Sequence, residues 1–242
     1  MRGAGRPSTR LPGSDMNDER LTRRGSLLKL GGFAAALLGA DAVGLDDAEG
    51  GPAAVASGAV SCVLTPEQTQ GPYYIRGEHV RRNITDGRPG MALVLRTRVV
   101  DASTCRPIRR AAVDVWHADA GGVYSGFGAG EGRSFLRGVQ RTDAHGRAIF
   151  RTIYPGWYPG RTVHIHVKVH IAGNVVHTGQ LYFPDAVTDA AYRRPPYDQR
   201  PNRDTRNATD FVFRNGGKQS LLKVQRKGAM YVAAIVMGVH RR

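Results

Sequence analysis

From residue 163 to residue 171 apolar and polar side chains alternate without a break. Val163, Ile165, Val167, Val169 and Ile171 fall on one side, and His164, His166, Lys168 and His170 on the other. A period of two is that of a β-strand, and the pattern predicts one face in a core and one polar face. The same period runs through residues 91–101 and 112–118. In the latter, Val113, Val115 and His117 oppose Asp114, Trp116 and Ala118. Residues 135–141 and 147–153 read as strands joined by Thr142-Asp143-Ala144-His145-Gly146. Residues 163–171 and 175–183 form a second pair through Ala172-Gly173-Asn174. Short runs at 211–213 and 231–239 are expected to close the sheets. Residues 185–206, rich in Pro and Arg, read as a long loop, and Lys218, Lys223, Arg226 and Lys227 as a surface turn. No helical period is sustained beyond the first 56 residues, and no internal repeat occurs. Many short strands with Gly/Pro turns predict an all-β protein, a β-sandwich with long loops.

The first 56 residues follow a different logic. A twin arginine, Arg23-Arg24, precedes an apolar run from Leu30 to Leu38, and small residues with Ala40-Asp41-Ala42 follow. Charge, apolar core and small-residue site are the parts of an export signal, and the arginine pair points to the twin-arginine route. The expected organisation is a leader at 1–42, a flexible linker at 43–60 and one β-sandwich domain at 61–242. The protein is expected outside the cytoplasm, periplasmic or extracellular, with the twin-arginine machinery as a transient partner. The apolar run is too short and glycine-broken for a membrane span. Two cysteines, Cys62 and Cys105, lie beyond the leader. An even count in an exported chain favours one disulfide, with two free thiols as the alternative. The net charge of +15 favours anionic partners. The arginines are scattered in pairs and no nucleic-acid motif accompanies them, so a basic solvated surface is expected and nucleic-acid binding is not.

Candidate chemistry sits on the most regular strand. His164 and His166, two apart on one face, can converge on one metal ion. Tyr158 enters just ahead of them between Gly156 and Gly160. Two imidazoles with one or more phenols suit a hard, high-valent ion, ferric iron first of all. His117 is expected in the core or beside the site, His145 exposed in a turn, and His170 and His177 at the surface.

Four segments, QTQGPYY, VDVWHADAGGVYSGF, PGWYPGRTVHIH and TGQLYFPD, together resemble the intradiol ring-cleavage dioxygenases of the catechol and protocatechuate type, in particular an exported single-domain branch. The resemblance implies a prealbumin-like sandwich, one Fe(III) per site, and metal ligands Tyr124, Tyr158, His164 and His166. Tyr124 would stay bound and Tyr158 would be displaced by substrate. Arg161, three residues before His164, and Gln180 would be the further catalytic groups. Pro72 and Tyr73 would edge the substrate pocket with Arg161 and Gln180. The implied reaction is cleavage of a catechol-type diol by O₂ to a muconate-type product. The alternative is a prealbumin-like binding module without catalysis. The spacing from Tyr158 to His164 is shorter than in the better-known branches, which implies a more open site. The long N-terminal helical dimerisation region of the catechol-cleaving branch is absent, so whether the chain forms a homo-oligomer stays open.

Overall fold

A computed structural model describes residues 62–241. The leader and linker expected at 1–60 lie outside the described residues. Eight strands form two four-stranded sheets. Their ranges are β1 Ala92–Asp101, β2 Ala112–Trp116, β3 Arg137–Arg141, β4 Arg147–Ile153, β5 His164–Ile171, β6 Asn174–Tyr182, β7 Lys223–Lys227 and β8 Met230–Val239. One sheet runs β4-β1-β8-β7 and the other β3-β2-β5-β6. Only β1 and β8 pair in parallel; the other strand pairs are antiparallel. Leu93, Leu95, Phe150, Ala233 and Met237 of the first sheet pack with Val113, Val115, Ile165, Val167 and Val169 of the second in one buried cluster. β-Branched residues dominate the second sheet's contribution, as a pleated, packed surface favours.

The expected faces of β5 hold, but the polar one is not solvated. His164, His166 and Lys168 are buried. A strap from Thr65 to Tyr74 covers them. The Gln68 amide donates to the Thr178 carbonyl at 2.9 Å, the Lys168 ammonium donates to the Gln70 side chain, and Gly71 lies against the His166 ring. The disulfide expected as one option is formed, Cys62 to Cys105, and ties the strap's upstream end to the loop after β1.

Four expectations are corrected. Residues 211–213 are a turn rather than a strand, because the Asp210 carboxylate accepts the Val212 and Phe213 amides, both at 2.8 Å, and outcompetes a ladder. Lys223, Arg226 and Lys227 belong to β7, an edge strand whose charged side chains protect an open edge. Gly228, at φ +60, makes its two-residue turn into β8. The 185–206 segment contains one short helix, α1 (Asp185–Ala191), and a 3-10 turn at Tyr197–Gln199, both too brief to show a period. His177 is buried at 2 % exposure because it pairs opposite Val169 and shares its inward face. His145 is exposed as expected. His117 is a core residue, with its ring nitrogens on the Ala118 carbonyl (2.8 Å) and the Thr152 hydroxyl (2.7 Å).

Candidate metal centre

Three segments bring the candidate donors together. β5 supplies His164 and His166. The turn before it supplies Tyr158, whose backbone carbonyl accepts the Arg161 amide at 3.3 Å. The glycine-rich loop after β2 supplies Tyr124. Arg137, buried on β3, pins that loop: its guanidinium donates to the Ser125 carbonyl at 2.6 Å, to the Ser125 hydroxyl at 2.8 Å and to the Tyr73 carbonyl at 2.6 Å. Tyr73 stacks on Tyr124 with ring centroids 4.2 Å apart. Trp116 stands opposite His166 in the β2–β5 register and stacks on its ring at 4.8 Å. On the strap side, a side chain at Gly71 would meet the same ring at 3.2 Å, and Gly71 has a φ of +68 that disfavours one. His166 is therefore held by stacking; its Nδ1 has no hydrogen-bond partner.

The donor atoms converge. His164 Nε2 lies 3.1 Å from His166 Nε2 and 3.2 Å from the Tyr158 hydroxyl. His164 Nδ1 lies 2.6 Å from the Thr162 carbonyl, which can only accept, so Nδ1 carries the proton and Nε2 presents a lone pair to the cluster. The Tyr124 hydroxyl is buried with no well-formed hydrogen bond, its one near partner being the Tyr158 hydroxyl, an arrangement that costs stability unless something binds it. Among the described residues no group of three or more His, Cys, Asp and Glu could hold a metal, and the side chains packed against the two histidines include the phenols of Tyr158 and Tyr124. The His164 lone pair, the neighbouring His166 ring and two buried or half-buried phenols fit a hard cation of high charge.

The electrostatics agree. Burial pushes His164 down to about 3 and His166 well below the usual histidine range, so both rings are neutral donors near neutrality. Burial also raises Tyr124 and Tyr158, which are phenols until a cation displaces their protons. Acid stability follows from the same burial. Besides His164 and His166, His117 and His177 are each pushed down to about 4. Between pH 6.5 and 4 these four rings take up protons only when unfolded, which favours unfolding. Asp114, raised to about 7 by burial, and Glu78, also raised by burial, act in the opposite sense. His170 is lowered by burial as well, and five depressed histidines against two raised carboxyls leave acid unfolding the winner. The melting temperature of metal-free protein will fall steadily from pH 6.5 to 4; a flat profile would mean that these rings are not held neutral.

Arg161 lies beside the cluster and is almost wholly buried. Its Nε donates to Asp210 at 2.8 Å and its Nη2 to the Gln180 side-chain oxygen at 2.5 Å, and among the described residues Nη1 makes no hydrogen bond. Gln180 stands opposite His166 on β6 and donates to the Thr69 carbonyl at 3.0 Å. Of the residues expected from the sequence, Tyr73, Tyr124, Tyr158, Arg161, His164, His166 and Gln180 are brought together, whereas Pro72 is exposed on the strap. Trp116, Thr162, Arg137 and Asp210 were not anticipated. Trp116 was findable, since the alternation of residues 112–118 puts it on the polar face.

A dioxygenase family model matches residues 69–190, the span that holds all of these donors. The chain belongs to the intradiol ring-cleavage dioxygenase family. An intradiol ring-cleavage dioxygenase from Tetranychus urticae is 35 % identical, superimposes with a TM-score of 0.71, and the match covers 74 % of this chain and 95 % of that one. The dioxygenase domain of a carbohydrate-binding fusion protein from Streptomyces sp. SirexAA-E is 33 % identical with a TM-score of 0.59, covering 74 % and 99 %. Catechol 1,2-dioxygenase 2 of Acinetobacter lwoffii is 39 % identical over 98 residues, 39 % of this chain and 35 % of that protein. The chain spans about a third to a half of the length of the curated relatives it matches. Members of this family generally use Fe(III).

Proposed function

We propose that this protein is an exported non-haem ferric dioxygenase that cleaves a catechol-type aromatic diol between its two hydroxyl-bearing carbons with O₂, giving a muconate-type product. The observation that carries the reading is the convergence of His164, His166 and Tyr158 on one point, with the Tyr124 ring packed edge-on against Tyr158 and His166, beside Arg161. Tyr124, Tyr158, His164 and His166 would hold the iron. Bound there, Fe(III) supplies Lewis-acid and template chemistry for a chelating diol. Tyr124, buried and stacked, is the fixed donor. Tyr158 is half-buried at the mouth, so it is the phenol free to leave and to take one diol proton on its Oη. Arg161 brings a fixed positive charge with one uncommitted nitrogen to where negative charge develops on the substrate. The Cys62–Cys105 bridge supports placement in an oxidising compartment.

The test uses protein isolated from the periplasm of a host with a twin-arginine pathway, and absence from that fraction would remove the export reading. A visible spectrum is recorded without oxygen, before and after catechol or protocatechuate is added. The expected result is a red-brown tyrosinate band that shifts with one of the diols, followed by ring cleavage when oxygen is admitted. A colourless sample with no response would return the chain to the non-catalytic binding-module reading.

A further inference from the structure

We infer that Asp210 is a positioning residue of the reaction, which sets the direction of the Arg161 guanidinium toward the substrate. The inference rests on the dioxygenase reading.

Asp210 has no exposed surface. Its Oδ2 accepts Arg161 Nε and the Thr162 amide, and its Oδ1 accepts the Val212 and Phe213 amides, each at 2.8 Å. Three backbone donors therefore fix the carboxylate before it meets the guanidinium. A free arginine would lose side-chain entropy on engaging the substrate, and a rigid partner removes that loss in advance. Gln180 holds the guanidinium from the other side, and the Gln180 amide is itself tied to Thr69. With Nε and Nη2 both committed, Nη1 has one direction left. A preorganised charge contributes to catalysis only if it need not move during the reaction.

The same carboxylate also tethers Thr162, whose carbonyl accepts from His164 Nδ1. That second role is backed up. The Thr162 hydroxyl contacts Asn207 Oδ1 at 2.7 Å, and Asn207 Nδ2 donates to the Phe183 carbonyl at 2.9 Å. No comparable second anion backs up the Arg161 link among the described residues, because Gln180 is neutral.

Asp210→Asn separates the roles. Asparagine makes the same side-chain-to-backbone turn toward Val212 and Phe213, but it turns an amide nitrogen toward both Arg161 Nε and the Thr162 amide. Thr162 keeps its hydroxyl contact with Asn207, whereas Arg161 loses its only anion among the described residues. The expected result is a loss in kcat of about 10²-fold, the scale of a misplaced catalytic group, with iron content, visible band and diol-induced shift unchanged. In an Arg161→Ala background the same substitution should change kcat less than about threefold, since interacting sites are non-additive. In metal-free protein, the Arg161 Nε–H should exchange slowly with solvent by NMR in the wild type and quickly in the variant. Should the asparagine variant not fold, Asp210→Glu carries the same cycle, because one extra methylene displaces the partner while keeping its charge.

Equal losses in both backgrounds, loss of iron, or an unchanged kcat would each overturn the inference while leaving the dioxygenase reading in place. A wild-type protein with neither ferric band nor ring cleavage would overturn both.

Discussion

Tyr124→Phe will give a protein at least as stable as the wild type when metal-free, and one that fails to hold ferric iron. The substitution removes a single oxygen. That oxygen is buried with no well-formed hydrogen bond, its one near partner being the Tyr158 hydroxyl, so the metal-free protein loses at most that weak contact and sheds a poorly satisfied group whose burial costs about 1–3 kcal/mol. The ring stays, and with it the stack on Tyr73 at 4.2 Å and the edge contacts with Tyr158 and His166. Iron uptake responds in the opposite direction. Losing an outer partner of a metal ligand typically costs 10–100-fold in affinity, and loss of a ligand itself must cost more. The measurements are the melting temperature of the metal-free protein and the iron content and visible band after loading. A lower melting temperature would mean that the hydroxyl has a structural partner. Full iron and an unchanged band would remove Tyr124 from the ligand set. The opposed signs are informative because a residue kept for packing would lose stability with its hydroxyl or show no effect at all.

The fold was legible wherever period two was uninterrupted. Residues 147–153 and 163–171 are strands within a residue of the expected bounds, because an unbroken alternation puts one set of side chains in the core, β-branched in the second case, and leaves little other choice. It was not legible where one polar side chain redirects the backbone. Asp210 precedes Phe211-Val212-Phe213, an apolar triplet that reads as a strand, yet its carboxylate captures two of the amides a ladder would need. β7 was missed for the opposite reason: its sequence, KVQRK, is built to keep an edge unpaired and carries almost no apolar signal. His177 was misplaced because the register across the β5–β6 hairpin, with its shift at Val169/His170, decides which face it occupies.

The candidate donors were legible from residue type and spacing alone, and the resemblance added Tyr124 from a distant loop. What orders those donors was not. Trp116 faces His166 only through the β2–β5 register, and Arg137 reaches Ser125 and Tyr73 only through the closed loop. A sequence shows that an arginine stands near a histidine pair. It does not show that a carboxylate about fifty residues later fixes the direction of that arginine.

Arg161→Ala will separate holding the substrate from transforming it. Among the described residues the guanidinium donates no hydrogen bond to the four iron-holding groups; it acts on them only through its charge, and they keep their own supports in Trp116, Tyr73 and Thr162. Iron content and the diol-induced band shift should therefore survive. Turnover should fall by about 10²–10³-fold, the scale for losing one preorganised group that stabilises developing charge. Stability should fall too, since Asp210 keeps its backbone donors but loses its counter-charge in a site with no exposed surface. A broken buried pair costs about 3–5 kcal/mol when the remaining charge is left alone. Three amide donors should hold the loss below that range. Adding Asp210→Asn to Arg161→Ala removes the stranded charge, so the double variant should melt above Arg161→Ala. Full turnover in Arg161→Ala would dismiss the electrostatic role. Lost turnover together with lost iron would instead make Arg161 a structural support of the donor cluster.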